Sequence, residues 1–133
     1  MRFEIIELNL EDCLSTLEFD PSPHRLTPSE TPVSERQNMP LRFHCNKCGK
    51  EIAFTLDNFK THTNLKFTNL NQQEIKLFEV FLQQNNIKSN SLIDFYCPGC
   101  NRATLIIFDG GPSGYWGMFR FKVEKFLAIE EKK

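Results

Sequence analysis

The sequence has no apolar run long enough to cross a membrane. A spanning helix needs about 18 or more consecutive apolar residues, and no stretch of this 133-residue chain approaches that length. Its first residues, Met-Arg-Phe-Glu, also differ from the basic and then apolar start of a secretory signal. We therefore expect a cytoplasmic protein whose cysteines stay reduced.

The chain as a whole also lacks an excess of one charge. Its 16 basic and 17 acidic residues leave a net charge of −1, which argues against a generally basic nucleic-acid-binding protein. The charge is unevenly placed, however, with −5 over residues 1–40 and +4 over residues 41–133. We expect these two parts to attract each other or to attract different partners.

Catalytic motifs are missing as well. The sequence contains no G-x-S-x-G elbow, no Walker phosphate-binding loop and no H-E-x-x-H pair. The glycine-rich stretch 109–117 lacks the lysine and the following helix that a phosphate-binding loop requires. We therefore predict that the protein is not an enzyme.

Tryptophan and tyrosine are scarce, whereas phenylalanine supplies 13 of the 16 aromatic residues. The phenylalanines lie in short runs flanked by charged residues, which favours strands packed on one face. The only tryptophan, Trp116, follows Tyr115 in the glycine-rich stretch. Such a loop has the parts of a protein-binding hot spot or of a base-stacking platform. The alternative is a hairpin turn whose aromatic side chains fold back on the sheet.

The chain length allows one domain with one core, so we predict a single domain over residues 1–133. Alternating apolar residues predict a strand over residues 2–10, followed by one or two helical turns, and this unit of residues 1–20 must dock on the rest or on a partner. Residues 21–40 hold five of the seven prolines and are read as a linker or an extended strap.

Two hairpins of one design follow the proline-rich stretch. Alternation predicts the first over residues 41–56, with Leu56 in its returning arm, and the second over residues 92–108. A third strand is predicted from Phe119 onward, where apolar and charged residues alternate. The alternation slips at Glu124-Lys125, which indicates a bulge. Residues 41–56 and 92–130 are therefore expected to form one antiparallel sheet.

The insert between the hairpins, residues 57–91, contains one clear helix signal. Asn71 and Glu74 have the spacing of a capping box, and apolar residues then recur at helical spacing up to Gln84. We predict one helix of three to four turns over about residues 72–84.

The strongest chemical signal is Cys45-x-x-Cys48 combined with Cys97-x-x-Cys100. Each pair places two thiolates on one side of a tight turn, and two such turns supply four soft ligands for a tetrahedral ion. Zinc fits this set, and with four thiolates no position remains open for water or substrate. We therefore predict a structural Zn²⁺, although 48 residues separate the two pairs, which the helical insert explains.

Other uses of these cysteines remain open at this point. Disulfides would need an oxidising compartment, and a thioredoxin-like pair would need a single C-x-x-C at the start of a helix. An iron centre of the rubredoxin type uses the same four ligands. The basic residues Lys47, Lys50 and Arg102 either offset the negative charge of the cluster or form a solvated rim.

The remaining candidate ligands are weaker. Cys13 is read as a small buried apolar residue, with a reactive thiol or a fifth ligand as the alternative. His44 precedes Cys45 and points to the opposite face of the strand, so we do not expect it to bind the ion. His24 and His62 are read as surface or loop residues.

The paired segments His44–Lys50 and Tyr96–Asn101 resemble the zinc ribbons of the rubredoxin-like group. This resemblance covers the two hairpins and implies a zinc-ribbon sheet. Together with the patterns above, it gives an expected α+β, mainly β fold: an antiparallel zinc-ribbon sheet with a helical insert and a docked N-terminal strand. The group has many functions, so the resemblance predicts metal binding and little else. The layout of the whole chain also resembles small bacterial immunity proteins, which neutralise a cognate toxin.

Two functional hypotheses follow. In the first, the chain is an immunity protein that covers a basic, nuclease-like toxin with its acidic N-terminal segment and its aromatic loop. The residues expected to bind the partner are Glu11, Asp12, Glu18, Asp20, Tyr115 and Trp116. In the second, the chain is a nucleic-acid-binding zinc ribbon with a role in transcription or RNA metabolism, in which Tyr115 or Trp116 stacks on bases. The residues expected to contact phosphates are Arg42, Lys47, Lys50, Arg102, Arg120 and Lys122. We prefer the first, because the net charge and the lack of a basic run oppose the second.

Overall fold

The computed structural model describes residues 2–13, 18–19, 41–112 and 119–132. The interpretation of residues 21–40 as a linker or strap lies outside these ranges, as do those of Asp20, His24, Tyr115 and Trp116. Within the described ranges, no helix is long and apolar enough to span a membrane.

The described residues form seven strands and three helices, which are numbered here in chain order. The strands are β1 (Arg2–Leu8), β2 (Glu18–Phe19), β3 (Leu41–His44), β4 (Glu51–Phe54), β5 (Ser91–Tyr96), β6 (Ala103–Pro112) and β7 (Phe119–Lys132). The helices are α1 (Leu10–Cys13), α2 (Leu56–Thr61) and α3 (Gln72–Gln84). The prediction of an α+β, mainly β chain with antiparallel strands is confirmed.

The main sheet has the strand order β1-β7-β6-β5, and β2 pairs with β7 beyond the end of β1. All of its pairs are antiparallel. The second predicted hairpin is present as β5 and β6, in which Ser91 lies opposite Phe108. The predicted N-terminal strand is also present and docks on the rest of the chain, because β1 pairs with β7 along its whole length.

The predicted bulge lies in β7. Ile107 of β6 pairs with Lys125, whereas its neighbour Phe108 pairs with Val123. Glu124 therefore has no partner on β6, which is the two-against-one arrangement of a bulge. The slip in the alternation of the sequence at Glu124-Lys125 correctly marked this position.

The single sheet predicted over residues 41–56 and 92–130 is wrong, because the first hairpin forms a separate two-stranded sheet of β3 and β4. This hairpin packs against a face of the main sheet instead of joining its edge. The buried Phe43 ring stacks on Phe126 with centroids 5.2 Å apart and meets Phe95 edge-on at 5.4 Å. Burial of these rings stabilises the face-to-face arrangement.

The predicted place of Leu56 in the returning strand is also wrong. Leu56 is the first residue of α2, because Thr55 caps this helix. The Thr55 hydroxyl accepts the Asn58 amide at 3.3 Å, and the Asn58 side chain accepts the Thr55 amide at 2.8 Å. This reciprocal pair is a capping box, and it ends the first hairpin at Phe54.

The main sheet is covered on both faces, which corrects the expectation of one packed face. The β3–β4 hairpin and Phe59 of α2 cover one face, where Phe59 stacks on Phe121 at 4.4 Å. Helix α3 covers the other face and buries Phe78 completely. The predicted bounds and capping box of α3 are confirmed, with Asn71 as the N-cap and Glu74 as its partner.

Candidate metal centre

The two cysteine pairs close turns with the same backbone hydrogen bonds. In the first knuckle, residues 45–50, the Cys45 amide donates to the Lys50 carbonyl at 3.0 Å and the Gly49 amide to the Cys45 carbonyl at 3.0 Å. In the second knuckle, residues 97–102, the corresponding distances are 3.0 Å, from Cys97 to Arg102, and 2.7 Å, from Asn101 to Cys97. The prediction of two copies of one device is confirmed for these turns.

Both knuckles also place a left-handed residue directly after the second cysteine. Gly49 has φ 77° and Asn101 has φ 61°. Glycine adopts this conformation without steric cost, and asparagine tolerates it better than most residues. The sequences C-x-x-C-G and C-x-x-C-N therefore favour the same turn for a local reason.

The knuckles bring the four cysteine sulfurs together. All four Sγ atoms lie within 4.8 Å of one another. The Sγ atoms of Cys45 and Cys100 are 3.8 Å apart, and those of Cys48 and Cys97 are 3.6 Å apart. An ion with four metal–sulfur bonds of about 2.3 Å in a tetrahedron needs sulfurs about 3.8 Å apart. The cluster can therefore hold a metal ion of this geometry.

The same distances exclude disulfides among these residues in this structure. A sulfur–sulfur bond is about 2.05 Å long, whereas the short separations here are 3.6 and 3.8 Å. Each short separation joins one knuckle to the other, so an ion bound here would link the two hairpins. The first cysteine of each pair is buried, Cys100 is half-buried and Cys48 is exposed.

The thiols cannot all ionise easily without a cation. Burial raises the pKa of Cys45, but donation from the amides of Cys48 and Lys47, together with the thiols of Cys48 and Cys97, lowers it to about 6. Burial raises the pKa of Cys100 to about 11, and the neighbouring Cys97 and Cys45 add to this rise. A divalent ion offsets the repulsion among four thiolates and is the natural complement of this cluster.

Gly99 allows the two knuckles to approach each other. A Cβ atom at position 99 would lie 2.5 Å from Cys48 Sγ and 2.9 Å from Lys50 Cβ. Both distances are shorter than van der Waals contact, so a larger residue would displace the first knuckle or its sulfur. The backbone of Gly99 does not have a positive φ, and the reason for glycine here is space alone.

Arg102 joins the second knuckle to the first and to the main sheet. Arg102 is only 5% exposed, and its guanidinium donates to Asn46 Oδ1 at 2.6 Å and to Glu130 Oε1 at 2.8 Å. The same group lies 3.8 Å from Cys45 Sγ. A buried cation beside a thiolate stabilises negative charge on the sulfur.

The position of Arg102 decides between two of its predicted roles. It offsets the charge of the cluster, whereas Lys47 and Lys50 are exposed and form the rim. Its inclusion among the phosphate-contacting residues is wrong, because the guanidinium is buried against Asn46 and Glu130. The other residues of that set, Arg42, Arg120 and Lys122, are exposed.

A buried carboxylate, Asp94, was not recognised in the sequence. It lies in β5 three residues before Cys97 and accepts the amides of Thr68, Asn69 and Leu70 at 2.8–3.0 Å. Burial raises its pKa, but the amides of Asn69, Thr68 and Leu70 outweigh this effect and hold the pKa below its usual value. An aspartate between apolar neighbours in a strand was the available signal.

Asp94 fastens the start of α3 to the strand that carries the second knuckle. Tyr96 of the same strand donates to Glu74 at 2.5 Å and accepts the Asn71 amide at 3.0 Å. Asp94 therefore binds the residues that lead into α3 and Tyr96 binds its N-cap and first turn, and these two side chains lie three and one residues before Cys97. These contacts position the second knuckle independently of any ion.

The other predicted candidate ligands among the described residues are not members of the group of four sulfurs. His44 is exposed, and His62 is half-buried at the end of α2 with Nδ1 2.6 Å from the Asn58 carbonyl. Cys13 is buried, as predicted for a small apolar residue, and it does not belong to the group of four sulfurs. Glu11 and Asp12 are exposed in α1, while the backbone of Glu18 pairs with Lys122.

The chain matches no family model, no curated protein and no solved structure.

Proposed function

We propose that the chain is a non-catalytic protein-binding module whose fold is held together by a structural Zn²⁺. The observation that carries the proposal is that four Sγ atoms lie within 4.8 Å of one another, with separations of 3.6 and 3.8 Å between the two knuckles. Four thiolates suit Zn²⁺ and leave no position for water or substrate. The ion would supply structure, not a reaction.

The expected contribution of the ion is large compared with the stability of a small domain. Structural zinc binding carries about 10–16 kcal/mol in small sites, whereas net stabilities of domains are about 5–15 kcal/mol. The buried Arg102 supports this role, because it offsets negative charge on Cys45 and fixes Asn46 of the facing knuckle. An iron ion would use the same ligands, and metal analysis separates the two.

For the partner we propose a basic protein, and the specific hypothesis is a bacterial immunity protein that neutralises a nuclease-like toxin. Supporting it are the charge of −5 over residues 1–40 and the exposure of Glu11 and Asp12. An acidic surface accelerates association with a basic partner and can occupy a channel that binds phosphates. The burial of Arg102 weakens the nucleic-acid hypothesis, because it removes one cation from the proposed contact surface.

Metal analysis of the purified chain tests the first half of the proposal. We expect one zinc ion per chain, which is lost in Cys97→Ser and kept in the matched variant Cys13→Ala, because Cys97 is one of the four clustered cysteines and Cys13 is not. If the chain instead contains one iron ion and shows the visible absorption of a ferric thiolate centre, the metal of the proposed site is iron and not zinc. Retention of zinc by Cys97→Ser would contradict the proposed site.

Co-purification tests the second half. We expect a basic protein, encoded beside this chain, to elute with it as a 1:1 complex, and salt to slow their association. Retention on single-stranded DNA that falls by several orders of magnitude with rising salt would instead support the nucleic-acid hypothesis. Absence of both results would remove the support for a binding function.

A further inference from the structure

A pocket of about 530 Å³ lies beside α3, on the face of the main sheet that this helix covers. Its lining includes Leu92 of β5, Ile107 of β6, Leu82 of α3 and, from the segment before this helix, Phe67. Small-molecule sites are clefts of about 300–1,000 Å³ with mostly apolar walls and a few polar groups. This pocket has that size and lining, and the cysteines of the cluster do not line it.

One polar group of the pocket is buried and unpaired. Ser89 lines the pocket and is only 8% exposed. Among the residues that the structure describes, its hydroxyl has no hydrogen-bond partner. A buried hydroxyl without a partner costs free energy, because it has lost its bonds to water and can still donate and accept. The nearby Ser91 differs, since its hydroxyl donates to Asn90 Oδ1 at 2.7 Å.

The volume and the charges of the pocket indicate which kind of molecule would pair with Ser89. A water molecule takes up about 30 Å³ in the liquid, so the pocket has room for much more than one bridging water. Two charged residues line it, Lys76 and Glu79, and they cancel each other. The exposed Lys66 and Lys88 adjoin the lining in the sequence without being part of it. The lining therefore has no net charge, which favours a neutral occupant.

The longest stretch between described elements, residues 20–40, joins β2 to β3. Strand β2 pairs with β7, which β6 separates from β5. Strand β3 belongs to the hairpin on the opposite face of the main sheet from α3. Both connections of this stretch thus lie away from the pocket, which favours an occupant from solution over residues 20–40.

We propose that this pocket binds a small neutral molecule with an apolar body and one hydroxyl or comparable hydrogen-bonding group. The body packs against Phe67, Leu82 and Ile107, and the polar group pairs with the Ser89 hydroxyl. This binding site is additional to the proposed ion and protein partner and depends on neither of them.

Three compounds with one ring system test the site on the zinc-loaded full chain. The probe is 2-naphthol, which is neutral at pH 7 and carries one hydroxyl. Naphthalene lacks the hydroxyl, and 2-naphthoate carries a negative charge in its place. Nuclear magnetic resonance of isotopically labelled Ile, Leu and Val methyl groups measures the affinities. It also locates the bound compound, because Leu82, Ile87, Leu92 and Ile107 line the pocket.

We expect 2-naphthol to shift the methyl signals of the lining and to bind about fivefold more tightly than naphthalene, as one neutral hydrogen bond allows. Ser89→Ala should abolish this preference and leave the affinity for naphthalene unchanged. Ser91→Ala is the matched control and should keep the preference, because the Ser91 hydroxyl is already used by Asn90.

Two neighbouring glutamines provide a second test that does not change a buried residue. Gln83 lines this pocket, whereas Gln84 lines a different cavity beside α3, and both are exposed. Gln83→Trp should weaken the binding of 2-naphthol by about tenfold or more, because the indole ring would occupy part of the pocket. Gln84→Trp should leave the affinity unchanged.

Four results would overturn the site. The first is no binding at millimolar 2-naphthol, as would follow if another part of the chain filled the pocket. The second is a preference for 2-naphthol that survives Ser89→Ala. The third is tighter binding of 2-naphthoate than of 2-naphthol, and the fourth is equal weakening by Gln83→Trp and Gln84→Trp. None of these results bears on the zinc content or on a protein partner, so the proposed function stands or falls separately.

Discussion

The first knuckle closes a hairpin of two four-residue strands, whereas the second closes strands of six and ten residues inside the five-stranded sheet. Their turns have the same hydrogen bonds and the same left-handed position, yet only the second is held by the ladder of the main sheet. The same type of turn thus connects two strands of the main sheet in the second knuckle and the two strands of a separate small sheet in the first. The first hairpin contacts the main sheet through Phe43, and we expect it to depend also on the proposed ion.

The side chains around the knuckles differ at matching positions. The second residue after the first cysteine is Lys47 in one knuckle and Gly99 in the other, and the fifth is the exposed Lys50 or the buried Arg102. At both positions the second knuckle carries the residue that contacts the first: Gly99 leaves room for Cys48, and Arg102 donates to Asn46. These matched positions make the comparison testable by single substitutions.

Removal of the ion should produce the largest difference in stability between the two hairpins. With a strong chelator we expect the free energy of unfolding to fall by more than about 5 kcal/mol, since zinc binding is coupled to folding. Amide exchange should accelerate first in β3 and β4 and later in β5 and β6, because the latter pair is part of the larger ladder. Equal acceleration in both hairpins would contradict the greater dependence of the first hairpin on the ion.

Substitution of Asp94 should weaken the attachment of β5 to residues 68–70 without changing the cysteine cluster. Asp94→Ala leaves three amides without their acceptor, that of Leu70 buried and those of Thr68 and Asn69 partly buried, so we expect a loss of about 3 kcal/mol in urea unfolding. The exposed Asp12→Ala serves as the control and should change stability little. Zinc stoichiometry should remain one per chain, and loss of the ion from Asp94→Ala under native conditions would show that the knuckle is not positioned as described.

The lowered pKa of Asp94 also predicts a dependence on acid. Because its pKa is lower in the folded than in the unfolded chain, its stabilising contribution is present above about pH 4 and declines as the pH falls through the folded-state value. Asp94→Asn should therefore lose less stability than the unsubstituted chain between neutral pH and about pH 3. Urea unfolding of the metal-free forms at several pH values checks this, and parallel pH profiles would count against it.

Gly99→Ala should disturb the contact between the knuckles, whereas Lys47→Ala at the matching position should not. The added methyl group would meet Cys48 Sγ and Lys50 Cβ, so we expect the zinc affinity to fall by about 10–100-fold, the range typical of groups that support metal ligands. Competition with a chromogenic chelator measures it. Equal affinities of the two variants would remove the steric argument.

Arg102→Met and Lys50→Met compare the fifth positions. Loss of the buried cation beside Cys45 should reduce zinc affinity by about tenfold and shift the absorption of a Co²⁺-substituted chain, since the charge near the sulfur changes. Lys50→Met removes an exposed charge and should have little effect. Rescue by Arg102→Lys should be partial, because lysine cannot donate to Asn46 and Glu130 with the same planar geometry.

Features that depend on a few neighbouring residues were predictable from the sequence. The cysteine spacing marked both knuckles, Asn71 and Glu74 marked the start of α3, and the slip at Glu124 marked the bulge. Each of these signals lies within the element that it specifies. The capping pair Thr55 and Asn58 is an equally local signal, but the alternation of Ile52, Phe54 and Leu56 favours a strand at Leu56.

Features that depend on contacts between distant segments were not predictable. The separation of the two sheets follows from the packing of Phe43 on Phe126, 83 residues away along the chain. The importance of Gly99 arises from the approach of Cys48, and the burial of Arg102 arises from Asn46 and Glu130. Alternation and spacing indicate which side chains share a face, but they do not indicate which surface will cover it.

X-ray absorption at the zinc edge of the purified chain tests the central claim most directly. Four sulfur neighbours at about 2.3 Å from a single zinc ion are expected, as required for an ion held between residues 45–48 and 97–100. Nitrogen or oxygen neighbours, or fewer than four sulfurs, would show that the two hairpins are not joined by a tetrathiolate ion.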